Sequence, residues 1–230
     1  MDLIDVNNSA GFTLRGFTLT GGADTVSCYY QSHCLLVQNT INGGTGNAIA
    51  VYTTSSAFVV GGVLQNAGFN GLLVRGDVIA AGVTAQNNGS NGAAVQEGGR
   101  LLFRTSDPAF DGVSPSTPAV LRNNQGNGIR AVRSATVVCR GCIISGNAAE
   151  GVHLDLSAVA TFDAYFASMG TAISGNNGSG VSVGTLSSAS FFSASVTGNA
   201  QPNIACNSST SVTLGALAAA GGAANTNCTN

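Results

Sequence analysis

The stretch NNQGNGIRAV, Asn123–Val132, sets an asparagine- and glycine-rich turn directly before a short apolar alternation. Near-copies recur as NAGFNGLLV from Asn66, NNGSNGAAV from Asn87 and NNGSGVSV from Asn176. Gly and Asn supply the left-handed backbone conformations that a sharp bend needs. The residues that follow alternate with a period of two, which belongs to a strand and not to a helix. A chain that repeats such a unit builds the same local structure several times over.

Aligning the apolar residue that precedes each turn gives Leu19, Ile41, Leu64, Ala85, Leu121, Ile144, Ile173 and Val196, with successive steps of 22, 23, 21, 36, 23, 29 and 23 residues. The base period is therefore 22–23 residues, and two coils are lengthened. Further columns keep step. Ile49, Leu72, Ala93, Ile129, Val152, Val181 and Ile204 form one, and Leu14, Leu36, Val59, Cys139 and Phe191 another. Leucine-rich repeats have a similar period, but their L-x-x-L-x-L frame and helical side are missing. Three short strands per coil and about eight coils predict an all-β solenoid of parallel sheets, with equivalent side chains stacked along the axis.

With FTLRGFTLTGG, from Phe12, and NNQGNGIRAV in view, the chain resembles the right-handed parallel β-helix family, which includes the pectate-lyase-like proteins. The resemblance covers nearly the whole chain and implies a fold more than an activity. The Asn-Thr-Asp, Asp-Asp and Gly-His-Gly set of polygalacturonases is missing. So are the Arg-x-Pro-x-x-Arg pattern of pectate lyases and the Asp-Pro-His motif of alginate epimerases. No family catalytic residue is carried over.

Within this frame Asn88, Asn124, Asn147, Asn176 and Asn199 are expected to stack and satisfy one another's turn amides along the axis. One domain is expected over 1–230, with inserts at 104–118 and 163–170 and a poorly regular last coil over 215–230. The start shows no capping helix, so the chain is expected to be a segment of a longer protein, with flanking segments as partners.

Composition narrows the partners. Charged residues are only 8%, there is no Lys, all eight basic residues are Arg, and the net charge is −2. No basic field invites nucleic acid, and no apolar run is long enough to insert into a membrane. The six cysteines fall as Cys28/Cys34, Cys139/Cys142 and Cys206/Cys228. An even count at these spacings suggests three local disulfides and an oxidising, secreted or cell-surface location. The alternative for CRGC, a zinc or redox motif, lacks the further ligands that zinc requires.

Both inserts leave the coil at the same corner, with the tight CRGC between them, and so predict a groove gathering Arg104, Asp107, Asp111, Arg140, Asp163 and Tyr165. Facing carboxylates from Asp107, Asp111 and Asp163 are candidates for the acid and base of a glycan hydrolase. Arg104, Arg140 and Tyr165 are candidate substrate contacts, Arg140 for an acidic sugar. The plainer alternative is that these aspartates only start turns. A second cluster lies on an outward column, where Arg130 and His153 are consecutive and Glu150, Asp155 and Arg133 are near. His153 is a candidate general base for a lyase and Arg130 a substrate contact; otherwise the group is a solvated ion-pair ladder. No cofactor is expected, and calcium at Asp107/Asp111 has only those two acids behind it. Two functions follow as expectations. One is a polysaccharide- or cell-surface-glycan-associated β-helix, with lyase or hydrolase activity open. The other is a non-enzymatic adhesin, spike or stalk segment.

Overall fold

The computed structural model describes residues 1–113, 115–164, 169–200, 202–207, 210–214, 226 and 228. The chain winds as a parallel β-solenoid with three strands per coil. The first sheet runs from Ile4–Asn7 to Ile204–Cys206 and the second from Phe12–Arg15 to Ser211–Leu214, with nine strands each. The third holds eight, from Thr18–Thr20 to Ala194–Thr197. All pairings are parallel between successive coils, and the columns read from the sequence are the observed register. Leu19 pairs with Ile41, Ile41 with Leu64, and so on to Ile173 with Val196.

The coil number is about nine rather than eight. The extra turn is the first, whose strand Ile4–Asn7 pairs with Val26–Tyr29. Its sequence, IDVN, has the alternation but lacks the Asn-Gly turn that marks the later coils. The last-coil expectation over 215–230 falls outside the described residues except for Thr226, which bridges to Ile204, and Cys228.

Inward side chains form the core as ladders. On the second sheet Phe103, Cys139, Phe162 and Phe191 follow one another in register, all essentially sealed from solvent. The Phe162 and Phe191 rings stack with centroids 4.9 Å apart, within the range that favours aromatic pairs. Disulfides join Cys28 to Cys34, Cys139 to Cys142 and Cys206 to Cys228. The second tightens the corner between the second and third sheets.

The expected asparagine ladder is present. Nδ2 of Asn88 donates to Oδ1 of Asn124 at 2.9 Å, and the chain continues through Asn147, Asn176 and Asn199 to Asn203. Each acceptor oxygen also takes the backbone N–H of the previous asparagine. A second ladder was not expected. It starts at Asp24 and runs through Asn47, Asn70, Asn91 and Asn127 to the backbone N–H of Glu150. Both ladders satisfy turn groups that would otherwise be buried without partners.

The same turns contain six Asn-Gly steps. In each, the glycine N–H donates to a carbonyl of an adjoining coil: Gly43 to Gln65, Gly71 to Asn91, Gly89 to Ala67, Gly92 to Asn127, Gly128 to Glu150 and Gly178 to Ala149. Several of these glycines are also sterically required. A Cβ on Gly89 would meet the Gly68 carbonyl oxygen at 2.3 Å, and one on Gly128 the Ile144 side chain at 2.4 Å.

Candidate functional site: a trough along the second sheet

Successive outward positions of the second sheet make three rows along the solenoid axis. The middle row is Leu35, Phe58, Ile79, Leu102 and Val138. On one side run His33, Ser56, Asp77, Arg100 and Thr136, a polar rim. On the other run Val37, Val60, Ala81, Arg104, Arg140 and Asp163. The first two rows, with Arg140, line an open cavity of about 810 Å³. Five strands at ~4.8 Å spacing make this trough ~19 Å long.

The 104–118 insert supplies the wall on the third row. It folds back over earlier coils. Val113 packs on Val37 and Val60, with Leu35 and Phe58 against them. Three apolar side chains of the third row, Val37, Val60 and Ala81, are thereby buried. Asp107 caps the single helical turn Pro108–Asp111, its Oδ1 accepting from the Ala109 N–H at 2.9 Å.

This folding brings Arg104 and Asp111 together. The Asp111 carboxylate is fully covered and takes both arms of the Arg104 guanidinium, one at 2.8 Å, together with the Asp107 N–H at 2.6 Å. Arg104 lies over the Phe58 ring, 5.6 Å from its centroid. The carboxylate is thus sealed from solvent, and the guanidinium is engaged within the protein. The pair is a strut holding the wall. These bonds engage both Asp111 oxygens and Oδ1 of Asp107. Among the described residues no group of three or more His, Cys, Asp or Glu is placed to hold a metal ion.

Arg140 differs. It stands exposed at the end of the wall, beside Asp163 in register. Among the described residues its side chain makes no hydrogen bond or ion pair. Across the trough Arg100 and Asp77 form an exposed pair at 3.8 Å, which contributes little to stability. His33 Nδ1 is 2.7 Å from the Ser56 hydroxyl. Tyr165 lies outside the described residues.

Arg130 and His153 are register partners, as expected, but on the first sheet and so on a different face from the trough. Beside them, the Asp155 carboxyl sits below the ordinary carboxylate range. Burial alone would raise it, but N–H donors from Leu156 and Thr185 and the nearby His153 outweigh that. Farther along the same sheet Tyr29 stacks on Tyr52 at 4.3 Å, and Arg75 covers the other side of Tyr52 at 5.7 Å. Burial, with the hydroxyl's neighbours Tyr29 and Asp24, pushes the Tyr52 phenol upward.

Reading for acids and bases missed the trough floor. Its signal is present in the strands HCLLV, SAFVV, DVIAA, RLLFR and TVVCR, whose central, outward residue is apolar where a solvated sheet face carries a polar one.

Residues 2–164 match the family model described as the right handed beta helix region, and the chain belongs to that family. Among solved structures it is similar to the A-module of the Azotobacter vinelandii mannuronan C-5 epimerase AlgE4, with 14% sequence identity and a TM-score of 0.48. That match covers 95% of this chain and 63% of the module, so the chain spans less than two thirds of that structure's length. No curated protein sequence matches.

Proposed function

We propose that this β-helix binds a polysaccharide strand along the trough of the second sheet, outside the cell. The observation that carries the reading is the three-row ladder. Its apolar centre and polar rim repeat every ~4.8 Å along one line, a surface that a linear polymer with repeating units can follow. Phe58 offers a partly exposed aromatic edge, and Arg140 an uncommitted cation for a carboxylate or sulfate. Three disulfides support an oxidising compartment. No helix among the described residues is long and apolar enough to cross a membrane.

Binding without cleavage, as in an adhesin or stalk segment, is the second reading, and the placement of the acids favours it over hydrolysis. Asp111 is sealed. Asp77 and Asp163 lie three strands and four residues apart in register, a separation on the order of 20 Å. Glycosidase carboxylates act at roughly 5–10 Å. Asp107 with Asp163, and His153 with Arg130, remain the pairs through which a cleavage reaction would run.

The test is retention on, and chain shortening of, a panel of neutral and uronic acid polysaccharides, with Arg140→Ala, Asp163→Ala and His153→Ala beside the parent protein. Retention that Arg140→Ala weakens, with polymer length unchanged, is the expected result. Shortening abolished by Asp163→Ala or His153→Ala makes the protein an enzyme. No retention of any polymer defeats the proposal.

A further inference from the structure

Leu35, Phe58, Ile79, Leu102 and Val138 offer no hydrogen bond to what lies on them, and the polar groups stand only at the sides. Such a floor takes the C–H faces of sugar rings, and it adds most for a chain that also carries apolar substituents. Ile79 is 41% exposed in the middle of this row. A row of half-buried apolar side chains around an exposed Ile79 is a surface that gains by being covered. What covers it must be apolar along its length, since each floor residue is followed by another at the next coil. It must also tolerate or use a cation, because Arg140 stands uncommitted at one end. Of the other charges beside the floor, Arg100 and Asp77 offset each other, and Asp163 follows Arg140 in register without pairing with it.

From this we infer that the polymer is acidic and carries small apolar acyl groups, such as O-acetyl esters, whose methyls seat on the Leu35–Val138 row while its carboxylates face Arg140. This rests on the polysaccharide reading above and narrows it. A free fatty acid would supply the same two features, but only once. It would leave most of a ~19 Å open trough unfilled or half of its own chain in water. A repeating ligand matches a repeating floor.

The experiment uses one O-acetylated uronic acid polymer and the same polymer after mild alkaline removal of its esters, compared at equal chain length by calorimetry. The acetylated form is expected to bind more tightly, by about fourfold for each methyl seated. Ile79→Ser, at an exposed site where the fold tolerates a polar side chain, is expected to narrow that ratio. Equal affinity for the two forms overturns the inference and leaves the polysaccharide reading standing. Binding of neither form, with retention of other polymers, also overturns it. Failure to bind any polymer overturns both.

Discussion

Arg104 and Arg140 are neighbours in register at the same corner of successive coils, yet they have opposite fates. Arg104 is followed by an insert that turns back over the sheet and brings Asp111 onto its guanidinium, so that its charge is spent inside the protein. Arg140 is followed by Gly141 and a disulfide-braced turn too short to return, so that its charge stays at the surface. Residue type does not separate them. The length and course of the chain that follows do.

The largest effect is expected from Asp111→Ala. It removes the carboxylate that takes both arms of the covered Arg104 guanidinium, for a loss of about 3–5 kcal/mol, read as early denaturant unfolding together with rapid amide exchange over the 104–118 insert. A smaller loss of the same kind, about 2–3 kcal/mol, is expected from Asn124→Ala, which removes the ladder bonds to Asn88 and Asn147. Chemical denaturation ranks the two, and an Asn124 cost above that of Asp111 would make the ladder, not the strut, the more sensitive element. Arg140→Ala is expected to change stability by no more than about 0.5 kcal/mol while weakening retention on an anionic polymer roughly tenfold or more. A stability loss as large as that of Asp111→Ala would mean that Arg140 is structural too.

The smallest effect lies in acid. Because the Asp155 carboxyl is held below its unfolded value of about 3.9, its contribution is fully present above that pH. It is lost as pH falls through the lower folded value. Asp155→Asn is therefore expected to make stability less steeply dependent on pH below about 4. An unchanged acid titration of unfolding would refute it.

The repeat made the fold legible because solenoid packing is local in a special sense. Every inward column, from Leu19 to Val196, must match only the residue one coil away, so a period in the sequence is a register in space. The Asn88 ladder followed from the same logic. The second ladder did not, because its members, Asn47 to Asn127, sit at the other end of the turn, where three of the four precede Gly and read as a bend, which hides the side-chain role. The site was less legible for a different reason. The wide spacing from Phe103 to Leu121 marks a lengthened coil but not that Val113 would bury itself against Val37 and Val60. That contact, set by three apolar side chains far apart in the chain, turned an expected acid–base cleft into a wall and shifted attention to the aliphatic row beside it.

The six Asn-Gly steps carry a consequence for chemical ageing. Asn-Gly is the dipeptide most prone to lose ammonia. The glycine nitrogen attacks the asparagine Cγ, ammonia leaves, and the resulting succinimide opens with water to aspartate or isoaspartate. The attack needs a free glycine nitrogen and a backbone able to curl towards the side chain. Here all six glycine N–H groups are held by a neighbouring coil, so the geometry that shapes the turn also blocks its decay. Mass spectrometry of samples aged folded and unfolded checks this: succinimide and isoaspartate are expected at these steps only after the coils are opened, and equal accumulation in both would disprove the protection. A solenoid rich in the most fragile dipeptide thus preserves it by the same hydrogen bonds that fold it.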